Sequence, residues 1–247
     1  MKSSKSDDSD SVFDEYYLNA KPHEKVDNLV LKLHQNLFYT VQKQIGNLVG
    51  KRVLEVGVGH GHFAKVATKH GMKWFGVEIN AKLSQKLIDE GFDVQIGKFP
   101  VRSKFDKINM IWMAHVLEHV TGWEQALGFA KSSYENLDKN GHLVIIAPDI
   151  LSWKFLFFDA HWTHQFPTSL RRVQQLLVEG NFKEIKTLHI RGGRTNILYR
   201  MFYATISFLV PTKIVDFFFM LFFNKRFVDS WLQNFGRRQI LVIGKKL

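Results

Sequence analysis

The sequence predicts an α/β fold: a doubly wound, mostly parallel sheet of seven strands with helices on both faces. Three observations predict it. Short apolar runs recur along the 247 residues. Amphipathic stretches at helical spacing separate most of them, which is the mark of parallel βαβ units. A glycine-rich turn, Gly57-Val58-Gly59-His60-Gly61, directly follows the first run. Sheets of this kind bind ligands at the carboxyl ends of their strands, near the point where strand order reverses.

The elements follow in order. Residues 23–50 set Val26, Leu29, Val30, Leu33, Leu37, Val41, Ile45 and Leu48 at helical spacing, with Pro22 near the start. This is an amphipathic helix whose apolar face packs on the sheet. Residues 52–58 read as a buried strand and 63–71 as a helix closed by Gly71. A second strand (73–79), a helix closed by Gly91 (81–91), a third strand (93–97) and a fourth (107–114) come next. A helix and turn occupy 124–141, and a fifth strand 142–148. Residues 169–182 form a helix, 184–190 a sixth strand and 238–246 a seventh. Residues 1–12 are polar, Ser/Asp-rich and expected to be disordered. Residues 13–247 read as one domain: a helical segment (13–50), a ligand-binding core (51–192), an apolar insertion (195–236) and a last strand (237–247).

Composition narrows the class. Hydrophobic residues make up 45% of the chain, enough for a sizeable core. There is no cysteine, which excludes disulfide frameworks and thiolate metal sites and points to a reducing, cytoplasmic setting. The first residues lack the apolar region that a signal peptide needs. The net charge of +11 fits plain solubility or an anionic partner.

Glycines at 57, 59 and 61 let a ligand approach bare main chain, whose N–H groups and following helix N-terminus bind its polar parts. A dinucleotide fingerprint would read G-x-G-x-x-G. Here His62 stands where the third glycine belongs, which disfavours a nicotinamide cofactor.

The run Glu55-Val56-Gly57-Val58-Gly59-His60-Gly61 resembles the first motif of class I S-adenosylmethionine-dependent methyltransferases. The likeness continues in order. Glu78 ends the second strand. Lys104-Phe105-Asp106, then a strand ending in Val116-Leu117-Glu118-His119-Val120, is similar to the small-molecule, ubiquinone-biosynthesis-like branch. Residues 137–148 and 161–182 resemble that family's later segments. The resemblance covers roughly residues 50–192 and the last strand, and it implies a Rossmann-like sheet with an antiparallel last strand. It implies S-adenosyl-L-methionine as cofactor, held by Glu55, Gly57, Val58, Gly59, Gly61, Glu78, Ile79, Lys98, Phe99 and His115. Glu55 would steady the loop near the methionine end, and Glu78 would take the ribose hydroxyls. The family often has Gly-Asp-Ala after the third strand, and this chain has Gly97-Lys98-Phe99. Lysine accepts no hydrogen bond from an adenine amine, so backbone groups and the Phe99 ring are expected there instead.

Methyl transfer to oxygen often needs a base, and histidine suits the role near neutral pH. His115 follows the fourth strand on the cofactor side. His161 and His164 lie in the loop after the fifth. These three are the expected catalytic residues. His119 reads as packing, and His60 and His62 as neighbours of the cofactor loop. Acids near Glu118 hold a metal in some ubiquinone-type relatives, but only Glu118 stands here and the histidine spacing matches no standard zinc site. No metal is expected.

The insertion is the unusual segment. Residues 196–236 are dominated by Phe, Leu, Ile and Met, where the fold usually has a short turn. They suit an apolar cap or homodimer face, a closed pocket for a greasy acceptor, or in-plane membrane helices. The last reading has basic neighbours in Arg191, Arg194, Arg200, Lys225, Arg226, Arg237 and Arg238. A full span is not expected, because Pro211-Thr212-Lys213 separates two short apolar runs. The expected function is methyl transfer, at oxygen, to a small-molecule or lipid-linked acceptor such as a saccharide or prenylated ring. Residues 196–235 would touch the inner face of an anionic membrane. The alternative is a catalytically weak, methyltransferase-like partner subunit. Nucleic acid is not expected as a partner. Families acting on its bases often carry an N/D-P-P-Y-type motif, and Met113-Ala114-His115-Val116 stands in that place.

Overall fold

A computed structural model describes residues 24–100, 107–194 and 237–247, together with Asn196, Leu198, Met201, Phe202, Thr205, Phe217, Phe218 and Leu221. The expected tail at 1–12 lies outside the described residues, as does most of the 195–236 insertion. Helix α1 (Glu24–Ile45) leads to strand β1 (Arg52–Val56), helix α2 (His62–Lys69) and strand β2 (Lys73–Glu78). Helix α3 (Ala81–Asp89), strand β3 (Val94–Ile96) and strand β4 (Ile108–Ala114) follow. A single 3₁₀ turn (Leu117–His119) precedes helix α4 (Trp123–Asn136) and strand β5 (Leu137–Pro148). Two short helices, α5 (Ile150–Trp153) and α6 (Leu156–Asp159), lead to α7 (Leu170–Glu179), β6 (Lys183–Ile190) and β7 (Gln239–Lys245).

The sheet order is β3-β2-β1-β4-β5-β7-β6. All neighbours pair in parallel except those of β7, which lies antiparallel between β5 and β6. The expected α/β sheet with its antiparallel last strand is therefore present. Strand order reverses between β1 and β4, so the crevice above those two strands is the place for a ligand. The expected helix and turn at 124–141 is shorter than the sequence pattern implied. Helix α4 ends at Asn136, and β5 begins at once, because Leu137 pairs with Ile108 before the register shifts to Met110 and His142. The two short helices after β5 were not legible in the sequence.

Side chains alternate across the central strands, as the pleat requires. Val53 of β1 joins Leu33, Leu37, Phe38 and Val41 of α1 and Phe63 and Val66 of α2 in the core on one face. Leu54 and Val56 join Phe129 of α4 and Val173 and Leu177 of α7 on the other. Phe63 lies flat on Trp112 of β4, with ring centroids 3.9 Å apart and planes 5° from parallel, both rings fully buried. This stack seats α2 on the sheet and thereby fixes where the glycine turn must run. Helix α3 is capped by Asn80, whose side chain accepts from the N–H of Leu83 at 2.9 Å. The chain after β5 is pinned to the start of β7. Asp149 accepts from Arg238 Nε at 2.7 Å, and the indole N–H of Trp153 donates to Arg238 O at 3.0 Å.

Replacing a buried aromatic ring by alanine typically costs about 3–5 kcal/mol. Phe63→Ala should lower the unfolding free energy by that order, read as a shifted midpoint in urea. A loss below about 1 kcal/mol would show that the stack does not seat α2.

Candidate active site

The glycine turn rises from the end of β1. Gly57 takes φ 73°, and a Cβ there would meet Val116 Cγ2 at 2.5 Å, so both backbone conformation and space exclude a side chain. Gly59 takes φ 56° with nothing within 4 Å of a Cβ. Its main chain is open on the cavity side and its N–H is in use: it donates to Glu78 Oε2 at 2.8 Å. Glu78 Oε1 accepts from the N–H of Asn80 at 2.9 Å. One carboxylate at the tip of β2 thus ties the loop after β1 to the start of α3. Each of its oxygens keeps a second lone pair for a ligand hydroxyl.

Glu55 is buried on the α1 side of β1, where its Oε2 accepts from Trp74 Nε1 at 2.8 Å. Burial pushes its pKa well above the ordinary carboxylate range, the Trp74 hydrogen bond opposes this, and the nearby Glu78 charge adds to the rise. The Trp74 ring crosses Gly76, the residue paired with Glu55 on the neighbouring strand, where a Cβ would meet the indole at 2.5 Å.

Two cavities open on either side of the turn. One, of about 280 Å³, is lined by Glu55, Gly57, Val58, Gly59, Glu78, Ile79 and His115, with His34, His60, His62, Asn80 and Val116 among their neighbours. The other, of about 310 Å³, is more apolar and is lined by Gly97, Lys98, Phe99, Thr121, Gln125, Phe129, Trp162, Thr163 and Gln165. Gly57, Ile79, Val116 and His119 belong to both. Phe99 is held edge-on to Phe129 at 5.3 Å.

All the residues expected to hold the cofactor, except Gly61, line one cavity or the other. Gly61 is set back as the first residue before α2, and its N–H donates to Val58 O. His115 sits at the carboxyl end of β4 with φ 59°, a conformation unusual for a residue with a side chain. Its Nδ1 lies 3.0 Å from Glu118 Oε1, and Gln239 of β7 approaches its Nε2 at 3.4 Å. Burial would raise the pKa of Glu118, but the His115 hydrogen bond and the positive potential of His115 and His119 overcome it and hold it below the usual range. The carboxylate therefore accepts, and His115 donates through Nδ1–H.

His161 and His164 line neither cavity. They pack with His119 behind the wall formed by Trp162, Thr163 and Gln165. His119 Nδ1 and His161 Nδ1 each lie 2.6 Å from Thr163 Oγ1, and His164 Nδ1 donates to Phe157 O at 2.6 Å. Burial pushes the pKa of His119 down to about 4 and lowers that of His161. The sequence reading missed His34. It sits on α1, stacked on His62 at 5.7 Å, and burial pushes its pKa down to about 3. A histidine inside the apolar stripe Val30, Leu33, Leu37 was the available signal. His62 is itself held by Asp27 at 2.7 Å.

Comparison with known proteins gives the class. The model of the methyltransferase domain family matches residues 23–189. The chain belongs to that family and is a class I S-adenosylmethionine-dependent methyltransferase. No curated protein matches it. Among solved structures it is similar to a SAM-dependent methyltransferase of Archaeoglobus fulgidus. That pair shares 19% identity and a TM-score of 0.61, over 94% of this chain and 100% of that one. It is similar also to the methyltransferase in a Haloferax volcanii complex with the Trm112 methyltransferase activator, at 13% identity and TM-score 0.64 over 95% and 99% of the two chains. A third likeness is to Haemonchus contortus phosphoethanolamine N-methyltransferase 2 in complex with S-adenosyl-L-methionine, at 14% identity and TM-score 0.57, covering 86% of this chain and 52% of that one.

The raised pKa of Glu55 has a thermodynamic consequence. The folded protein binds the Glu55 proton more tightly than the unfolded chain does. Its contribution to stability is therefore full below the ordinary value of 4.5 and is lost as pH rises towards the raised folded value. Glu55→Gln keeps an acceptor for Trp74 and removes the titration. Melting curves of both proteins from pH 4 to pH 8, without cofactor, should show the variant gaining on the parent as pH rises. Parallel curves would mean that Glu55 is not held protonated.

Proposed function

We propose that the two cavities together hold S-adenosylmethionine and its acceptor. Glu78 supports this reading most directly: both its oxygens are already oriented by main-chain donors, and they border bare backbone at Gly59. In this arrangement Glu78 takes the ribose hydroxyls, and Gly57 and Gly59 receive the methionine portion beside Glu55. Ile79, Lys98 main chain and Phe99 enclose the adenine. When bound, the cofactor supplies an electrophilic methyl group on a sulfonium. The protein aligns the acceptor with that methyl and excludes water. His115, oriented by Glu118, takes a proton from an acceptor hydroxyl through Nε2, and His34 offers a second neutral imidazole on the acceptor side. His161 and His164 act behind the cavity wall, on its shape.

The acceptor we infer is a small-molecule or lipid-linked hydroxyl compound met at an anionic membrane surface, reached through residues 196–235. One observation favours the membrane over a dimer face. Leu151, Phe155 and Trp162 are exposed after β5, Phe155 to 90%. That segment is pinned to Arg238 at the root of the insertion, beside Arg237. Leu198, Met201, Phe202, Phe217, Phe218 and Leu221 of the insertion are exposed as well. Among the described residues no helix is long and apolar enough to cross a membrane. The contact we infer is in plane.

Calorimetric titration should give one S-adenosylmethionine per chain, and Glu78→Ala should weaken it at least tenfold, roughly the effect of one charged hydrogen-bond partner. No heat at millimolar cofactor would overturn the assignment. For the surface, vesicles with anionic lipid should carry the protein up a density gradient. Phe155→Asp or deletion of 196–235 should leave it at the bottom. Sedimentation of the parent protein as a dimer without flotation would favour the dimer face instead.

A further inference from the structure

We propose that the groove between α1 and the root of the insertion binds the phosphate of an anionic lipid headgroup. The groove measures about 330 Å³ and shares no lining residue with the two cavities of the site. Asn36, Tyr39, Thr40 and Lys43 supply one wall, and Arg194 and Asn196 the other. The first four stand at i, i+3, i+4 and i+7, which is one stripe along a helix. Among the described residues that line the groove, Lys43 and Arg194 are cationic and none is acidic.

The scaffold beneath these side chains is well tied. Strand β6 runs into the turn Arg191-Gly192-Gly193-Arg194, where the N–H of Arg191 donates to Arg194 O at 3.1 Å and the N–H of Arg194 to Arg191 O at 3.0 Å. Asn36 Nδ2 donates to Gly192 O at 3.1 Å, and Thr40 Oγ1 to Gly193 O at 2.7 Å. Gly193 takes φ 73°, and a Cβ there would meet Asn36 and the Leu33 carbonyl at 2.9 Å, so the turn lies directly on the helix. The Arg194 guanidinium donates to Asn36 Oδ1 at 3.3 Å. Lys186 of β6 donates to the carbonyl of Gln44, another groove residue, and adds a third cation at that end. Contacts spanning 153 to 158 positions of the chain thus set the arginine beside the helix that carries Lys43.

The chemistry suits a phosphate. A guanidinium meets phosphate oxygens through paired N–H groups, and an ammonium adds a compact charge. The Tyr39 hydroxyl and the Asn196 amide are donors for further oxygens. The chain beyond the groove points to a lipid as the source. Leu198, Met201 and Phe202 are helical, exposed and spaced i, i+3 and i+4, and they begin two residues after Asn196. Cationic groups beside such an apolar stripe hold a helix in the plane of an anionic leaflet. The lipid source rests on the membrane reading given above; phosphate binding in the groove does not depend on methyl transfer.

The test is flotation of the full chain with phosphatidylcholine vesicles, with and without phosphatidic acid. The parent protein should rise only with phosphatidic acid. Lys43→Gln and Arg194→Gln should each weaken binding about fivefold, the effect of one basic residue near an anionic surface. Lys131→Gln, on α4 at the opposite face of the sheet, should bind as the parent does. Melting curves establish that each variant is folded. Equal binding by the parent and both groove variants would overturn the proposal. So would an equal loss in the Lys131 variant, since the charge would then act only in bulk. Calorimetry with glycerol 3-phosphate is the second arm: a groove-dependent soluble complex without flotation would overturn the lipid source. Loss of flotation in Phe155→Asp, with the groove variants unchanged, would remove the groove alone and leave the membrane reading standing.

Discussion

The carboxylate of Glu78 is the joint on which the site is built. It accepts from Gly59 on one side and Asn80 on the other, so the turn after β1 and the start of α3 cannot move apart. Hydrogen bonds to an ionised group are each worth about 1.5–3 kcal/mol, enough to hold a loop that carries glycines and little side-chain packing of its own. Gly57 then sits against Val116, and the two cavities meet there. Adding a side chain at Gly57, which would strike Val116, or removing the acid at 78 would disturb the same place from opposite sides.

Beneath that joint, the sheet supplies rigidity by unequal means on its two faces. The α1 face holds Glu55, its Trp74 partner and the Phe63–Trp112 stack. The other face is almost wholly aliphatic and phenyl. A carboxyl buried against an indole, next to a second acid, has its pKa pushed above the ordinary carboxylate range, chiefly by burial.

The histidines divide into two sets with different environments. His34, His60 and His62 come from α1 and the end of the glycine turn; Asp27 holds His62, on which His34 is stacked. His119, His161 and His164 gather around Thr163 behind the cavity wall, with Glu118 beneath. His115 lies between the sets, pinned by Glu118 and approached by Gln239. A chain with no cysteine thus concentrates its donors in imidazole and carboxylate groups at one end of the sheet, where strand order reverses.

Much of this was legible in the sequence for local reasons. Period-two and helical spacing of apolar residues marked the strands and helices, because each element must bury one face. Gly57, Gly59 and Glu78 marked the turn that borders the cavity after β1, because a turn with bare main chain and left-handed backbone needs glycine. The end of α4 escaped, since Leu137 pairs with Ile108 in the sheet although the sequence there reads as a turn. His34 also escaped, because a single imidazole in an apolar stripe looks like packing until the helix is laid across the crevice. Spacing along the chain made His161, His164 and Glu118 look unrelated. Only the tertiary structure decided their company: the loop after β5 folds back onto the 3₁₀ turn after β4, and contact between residues far apart in sequence is set by how the chain packs, a property that no local pattern carries.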